Sequence, residues 1–437
     1  MNKKKLRNFT TVFVFLVIST LFSVNIFAQN VAEQLREAAA NLQNNQFDEA
    51  EKILRRVIKS APANSDAHNL LGIVLDQKSN FAEAEKEYRQ AVKLNPKAVS
   101  PLANLGILLA KTKREKLAAQ TFESILKINP NHPQTIINLG FLHFSLGNFQ
   151  RAAELLQKAA QIQPNDYEIL FKLGTSLYQI KKTEAAKQAF SSANSISPTN
   201  AEPFYSLGVI AFDEGNFELA SQNFEKVLAL EPNFADAYFM FGEILAKQKR
   251  YEEAVKFYEK AAIIDKTKSV YFVRLGGTYL YNYEPIKAFQ YFKEAVELFP
   301  EIAEIRYFYA ISARSIGNYE LAFSEAKKSL SLNETADANA LLGSLLTDRS
   351  EYAEAEKYLR KAIALNPNHI NSQHDLGRIL VKEQKFTEAL PILQKVSTLI
   401  PDDADIHYQL FLTYTRLKRK ADADKEFALF KKLSDKK

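Results

Sequence analysis

The sequence predicts an all-α protein, an α-solenoid of about twelve helix-turn-helix units, and three recurrences carry that prediction. Twelve alanines (Ala50, Ala84, Ala118, Ala152, Ala186, Ala220, Ala254, Ala288, Ala322, Ala355, Ala389 and Ala423) follow one another at steps of 34 residues, with one step of 33. Nine of the thirteen glycines share a second phase: Gly72, Gly106, Gly140, Gly174, Gly208, Gly242, Gly276, Gly343 and Gly377. Nine of the fourteen prolines share a third: Pro62, Pro96, Pro130, Pro164, Pro198, Pro232, Pro300, Pro367 and Pro401. A period of this length marks stacked helical units, none of which buries its apolar face alone.

Within each unit the elements follow in order. Apolar spacing gives a first helix of about thirteen residues, starting seven residues before the glycine. The glycine sits inside apolar runs such as Asn104-Leu105-Gly106-Ile107-Leu108, where it costs about 1 kcal/mol relative to alanine. A cost repeated nine times implies a second helix passing so close that a Cβ would collide, with the periodic alanine as its expected opposite number. A tight turn follows, marked by Gly147-Asn148, Gly215-Asn216 and Gly317-Asn318, where glycine can adopt the left-handed conformation that closes a helix. The second helix, also of about thirteen residues, ends at the phased proline, as in Lys93-Leu94-Asn95-Pro96. Pro101, Pro133 and Pro203 open the next first helix, where a missing N–H does no harm. The tiling runs from Val31 to Lys437, so residues 31–437 read as one tandem array.

The pattern aromatic-x2-Leu-Gly-x2-Tyr, then Ala-x3-Phe, then Pro, appears as Phe272, Leu275, Gly276, Tyr279, Ala288, Phe292 and Pro300. These residues resemble the tetratricopeptide repeat family over the whole chain after residue 30. The resemblance implies a right-handed superhelix whose first helices line a concave groove for peptide segments. Departures mark where the stack should change. The usual Trp is absent from the fourth position of every unit, and the last four units carry Arg306, Asn339, Gln373 and His407 there, so looser pairing of their helices is expected. The first unit has Ala38 in place of the glycine. The ninth has Ala310, one residue fewer, and Glu334 in place of the proline, and is the expected place for a change of superhelical pitch. Pro391 should delay or kink the second helix of the eleventh unit.

Residues 1–28 follow a different rule. Lys3, Lys4, Lys5 and Arg7 precede an uncharged apolar stretch from Phe9 to Phe27 that closes at Ala28-Gln29. This reads as a secretory signal peptide cleaved between Ala28 and Gln29, or as an uncleaved inner-membrane anchor. Either way the repeats are expected outside the cytosol, in a bacterial periplasm or secreted. The chain has no cysteine, which excludes disulfides and thiolate metal sites.

Four of the positive charges behind the formal +6 belong to residues 1–28, and Arg416 to Lys437 holds nine Lys or Arg against four Asp or Glu. The rest of the chain is slightly acidic, so nucleic-acid binding has no general electrostatic support, and the basic last helix reads as a solvated cap of the stack. Catalytic patterns are absent from the sequence: the six histidines (His68, His132, His143, His369, His374 and His407) form no zinc motif. There is no Gly-x-Ser-x-Gly elbow or phosphate loop, and Gly276-Gly277 lies within a helix rather than after a strand. Acidic clusters such as Glu83, Glu85 and Glu87 fall on polar helix faces. The expectation is a non-enzymatic protein that binds no cofactor or metal.

What remains is the inner face of the stack. The fifth and twelfth residues of a first helix share one side, which gives Phe171 with Tyr178, Tyr205 with Phe212, then Phe239, with Phe144 one unit earlier and Phe141 beside it. These rings form candidate partner-binding ladders, with packing between first helices as the alternative. Resemblance to the asparagine ladder of O-linked GlcNAc transferases covers only Asn104 and Asn138, since Lys172, Ser206, Met240, Arg274 and Phe308 follow at that place. The carboxylate clamp of chaperone-tail binders is missing. Arg274, Arg314, Arg378, Lys382 and Arg416 could form a mixed groove with Glu243 and Asp348. The function expected is a scaffold that holds a protein or peptide in the concave groove. The alternatives are a polysaccharide-handling component of an envelope export assembly, and a substrate-targeting arm for a separately encoded enzyme.

Overall fold

The computed structural model of the protein describes residues 29–435, and the expected leader with Ala28 lies outside them. The described residues fold into helices in consecutive pairs, with no strand among them. By contacts they divide into two compact units, one up to Ile210 and one from Ala211 onward, the division falling within the helix Ala201–Asp213.

The first helix of repeat 1 covers residues 29–43. First helices of the later repeats begin at Ser65, Val99, Pro133, Tyr167, Ala201, Ala235, Ser269, Ala303, Ala336, Ile370 and Ala404, each thirteen residues long. These are the starts that the glycine phase predicts. Second helices run fourteen residues, as in Phe47–Ser60 and Phe81–Leu94, and the last, Lys420–Ser434, runs fifteen. The residue before a first helix often caps it: Asn64 accepts from the Ala67 N–H and Asp166 from the Ile169 N–H, satisfying donors that have no partner inside the helix.

The glycine does face a collision, but its opposite number is not the alanine. A Cβ at Gly72 would lie 2.6 Å from the Tyr88 ring, one at Gly106 2.6 Å from Phe122, and one at Gly276 2.4 Å from Phe292. The nearest partner is the side chain sixteen residues on, four past the alanine, a leucine at Gly140, Gly343 and Gly377, and at Gly343 the backbone oxygen of the periodic Ala355 also comes within 3.3 Å. The alanine is itself fully buried in repeats 1 to 11. The pair of residues at this contact varies between repeats. Where repeat 9 has Ala310, the residue sixteen later is Ala326, and both are fully buried in one cluster. Repeat 1 matches Ala38 with Leu54. In the last repeat Phe411 meets Phe427 with ring centroids 4.8 Å apart.

All twelve turns between paired helices contain a residue at positive φ, and only Gly147, Gly215 and Gly317 are glycine. Asn45, Ser79, Lys113, Lys181, Lys249, Tyr283, Ser350, Gln384 and Lys418 occupy the same conformation with φ near 60°. Each turn is closed by backbone bonds such as Ser79 N–H to Asp76 O (2.9 Å) and Asn80 N–H to Leu75 O (2.8 Å), which satisfy the last helical carbonyls.

The fourth-position departures do not expose the helix pairs of the last four repeats. Asn339, Gln373 and His407 are buried, and Arg306 is nearly so. Four of these polar groups reach back to a carbonyl near the start of their helix. Arg306 Nε donates to Pro300 O at 2.8 Å, Gln373 Nε2 to Pro367 O at 2.5 Å and Asn339 Nδ2 to Thr335 O at 2.9 Å, while His407 Nε2 lies 2.9 Å from Pro401 O. His68 and Tyr238 do the same towards Pro62 and Pro232. In three repeats a carboxylate nineteen residues on completes the tie: His68–Glu87 (2.5 Å), Arg306–Glu325 (2.7 Å) and His407–Glu426 (2.6 Å). These bonds satisfy the buried donors, while the side-chain oxygens of Asn339 and Gln373 are buried without a hydrogen-bond partner among the described residues.

The missing residue of repeat 9 is absorbed in the loop, since helices Tyr319–Leu332 and Ala336–Asp348 keep their lengths. Glu334 there pairs with Lys361. Helix Phe386–Leu399 runs through Pro391 with no late start. Glu83 and Glu85 pair with arginines of their own and neighbouring repeats (Arg55–Glu83 2.8 Å, Arg114–Glu85 2.6 Å). Such half-exposed pairs contribute at most about 1 kcal/mol each.

The adjacent Gly276 and Gly277 test the ring contact within one helix. Gly276→Ala is expected to destabilise by about 1–3 kcal/mol through overpacking against the fully buried Phe292. Gly277→Ala meets nothing within 4 Å and should be neutral or stabilising by up to about 1 kcal/mol. Urea melts followed by circular dichroism, with hydrogen exchange of repeat 8, check the sign of each.

Candidate functional site

Helix pairing engages the eighth position of the first helix and the alanine and ring of the second. The side chains left over lie on the outer side of the first helices, and each unit presents its own set.

In the first unit, Asn104 Nδ2 donates to Asn69 Oδ1 of the preceding repeat (2.9 Å), and Asn138 accepts from Gln134 (2.9 Å). Lys172, at the place where the asparagine ladder breaks, holds its ammonium 4.7 Å from the Phe144 ring centroid and 5.6 Å from that of Phe141. One cation thus joins two aromatic residues of the previous repeat, a contact spanning 28 and 31 residues that no local pattern reveals. Phe144 also meets Phe149 edge-on at 5.9 Å. Phe171 stacks on Tyr167 at 5.9 Å and tilts against Phe190 at 5.7 Å, the ring that Gly174 accommodates. Tyr178 and Tyr205 are half-buried.

In the second unit, Phe212 lies 5.6 Å from Phe217. Phe239 sits between Tyr258 (5.6 Å) and Tyr271 (5.1 Å), and Asp236 takes the Tyr271 hydroxyl at 2.6 Å. Phe171 and Phe239 therefore each place one side of the ring on the second helix of their own repeat and keep part of it exposed.

The mixed charges assemble as pairs along the second unit. Arg274 Nε lies 3.0 Å from Glu243, and Arg314 lies 2.8 Å from Asp348. Lys382 donates to the Tyr352 hydroxyl at 3.1 Å. Arg274 is exposed and borders a cavity of about 310 Å³ lined by Glu243, Lys247, Tyr251, Gly277, Tyr281 and Phe308 among others. The twelfth and thirteenth residues of repeat 9 and their neighbours, Arg314, Ser315, Tyr319 and Glu320, border another of about 860 Å³ with Asp348 and Arg349. Sequence reading missed the smaller cavity. Its one signal is Gly277, a helical glycine out of phase with the other nine.

Two carboxylates of this face are shifted in opposite directions. Burial pushes the Asp375 carboxyl above the ordinary range, against the pull of His374, Arg378 (3.7 Å) and the more distant Arg314, and of a hydrogen bond with Ser344. The hydrogen bond from His374 (3.0 Å), with those from Gln409 (3.1 Å) and the charge of Arg378 (3.5 Å), holds Asp405 below it despite burial. A raised carboxyl lowers stability once the pH exceeds its unfolded value, whereas a depressed one adds stability above that value and loses it as pH falls through the folded value. At pH 7, Asp375→Asn is expected to raise the melting temperature and Asp405→Asn to lower it, each by about 1–3 °C. Both differences should shrink as the pH falls below about 4. Thermal melts from pH 3 to pH 8 check this, and shifts of one sign in both variants contradict it.

Profiles of the tetratricopeptide repeat match residues 35–99, 73–133 and 205–268, and residues 143–207 and 346–408, together more than half of the chain. TPR repeat-containing protein YpiA of Bacillus subtilis (strain 168) is 27% identical over 114 residues, which is 25% of this chain and 26% of YpiA. The chain thus spans about a quarter of the length of that curated relative. Among solved structures, the C-terminal part of a TPR repeat-containing protein from Cytophaga hutchinsonii is 21% identical, covering 55% of this chain and 98% of that one, with a TM-score of 0.45. YrrB, described as a TPR protein with an unusual peptide-binding site, is 25% identical, covering 43% of this chain and 97% of its own, with a TM-score of 0.39. With helix pairs at the predicted starts and repeat profiles matching more than half of its residues, the chain belongs to the tetratricopeptide repeat family.

Proposed function

We propose that the protein is a non-catalytic scaffold that holds a protein or peptide segment on the face formed by its first helices, outside the cytosol. The observation that carries this reading is the division of labour within each repeat. The ring, alanine and glycine positions are buried in helix pairing, while the first-helix face of the second unit keeps two open cavities with paired but accessible charges. Shape and polarity of this kind suit recognition of a chain segment. Export is supported by the composition of residues 1–28, four cations ahead of an uncharged apolar stretch.

Photo-crosslinking in the native host tests the reading. A benzophenone amino acid placed at Ile107 or Tyr281, both exposed on first helices, is expected to give polypeptide adducts outside the cytosol. The same probe at Ile263 or Leu365, exposed on second helices, should give few. Adducts confined to the second-helix positions, or recovery of the protein only from the cytosol, contradict the proposal.

A further inference from the structure

The cavity of repeats 7 to 9 carries features that packing does not require. Gly277 lies inside the helix Ser269–Tyr281, and a Cβ there would meet nothing within 4 Å. Every other glycine placed in a helix interior, among those whose surroundings are described, faces a side chain at 3.0 Å or less. The conformational cost of Gly277 therefore returns no closer packing, and its effect is to keep the cavity open. Two residues past the helix end, Tyr283 occupies the left-handed turn position at φ 59° with 93% of its surface exposed. The turn conformation is the one that eight other non-glycine residues adopt, so it is the exposure of a large ring beside the cavity's helix, and not its backbone, that sets Tyr283 apart. Tyr281 and Ile286 on either side are also well exposed.

The lining states what kind of occupant fits. Glu243 is engaged: its carboxylate accepts the Tyr258 hydroxyl at 2.7 Å and faces Arg274 Nε at 3.0 Å. That contact fixes the guanidinium and leaves its other nitrogens without a carboxylate. Lys247 has no ion pair among the described residues. The acid that remains, Glu304, is the second residue of its helix, where the positive end of the helix dipole offsets part of its charge. Open positive charge thus borders an apolar floor of Val273, Gly277 and Phe308. The Tyr251 and Tyr281 rings lie 4.7 Å apart with their planes inclined by 48°, which offers a wedge rather than the flat platform on which a sugar ring stacks. At about 310 Å³ the space lies at the small end of ligand pockets and suits one or two side chains.

Resting on the scaffold reading, we propose that this cavity is a side-chain pocket for an extended peptide in which an apolar residue neighbours an acidic one. The apolar side chain enters over Gly277, and the carboxylate meets Arg274 and Lys247.

The test uses the full chain in mild detergent, panned against phage-displayed random dodecapeptides, with enriched sequences remade as fluorescein-labelled peptides for anisotropy. The enriched peptides should share an apolar residue within two positions of Asp or Glu. Gly277→Leu, which fills the cavity with a better helix former, should weaken them at least tenfold with the melting temperature unchanged or raised. Arg274→Glu should do likewise, and peptides with Lys in place of the acid should regain affinity for that variant. Enriched peptides that bind Gly277→Leu as tightly as the parent, or a consensus without an acid, overturn the pocket and leave the scaffold standing. No enrichment overturns the pocket as well, and if the first-helix crosslinks also capture no polypeptide, the scaffold reading falls with it.

Discussion

The contact between the eighth residue of a first helix and the ring sixteen residues later fixes the geometry of the repeat. Its members are glycine with Tyr88, Phe122, Phe190, Tyr258 or Phe292, with leucine in place of the ring at Gly140, Gly343 and Gly377, alanine with alanine in repeat 9, and two phenylalanines in the last repeat. Because close-packed interiors respond to a single methylene, a glycine there admits a ring that a Cβ would displace. The buried alanine, one helical turn before the ring, keeps the second helix close enough for the ring to reach the glycine backbone. Sixteen residues is the length of the rest of the first helix, the turn and the start of the second. The period of 34 is therefore a packing constraint before it is a sequence pattern.

That constraint explains what was legible. Glycine, alanine and proline each recur at a place where geometry admits few residues, so helix starts could be read to the residue. The partner of the glycine was misassigned because the ring position accepts tyrosine, phenylalanine or leucine, and a mixed position has no visible phase. The turns were legible in only three repeats for a related reason. Nine of them place an ordinary side chain at positive φ, held by the closing hydrogen bonds rather than by the residue's own preference. The fourth-position substitutions looked like lost packing because composition shows the missing ring and not the proline carbonyl that a side chain can reach six residues back.

Contacts between repeats were the least legible, since they join residues about 30 apart that obey no local period. Lys172 over Phe141 and Phe144, Lys382 on Tyr352 and Tyr281 against Tyr251 all have this form. They also explain why residues chosen as candidate rungs are partly engaged within the stack. An aromatic side chain that packs on one face and stays open on the other can serve the fold and a partner together, so partial burial of Phe171 or Phe239 does not decide between those roles.

Repeat 8 concentrates the exceptions. It matches the family pattern most fully at Phe272, Leu275, Gly276, Tyr279, Ala288, Phe292 and Pro300, so its helix pair is well specified, with Phe272, Leu275, Tyr279 and Phe292 all buried. Yet the same repeat carries a helical glycine without a packing partner. A sequence that specifies one structure tends to agree at every level, and local violations gather where something other than stability is selected. That glycine borders a cavity next to an arginine whose charge is only partly answered. The ring contact between Gly276 and Phe292 is what allows the repeat to keep an open cavity beside it without losing its place in the stack.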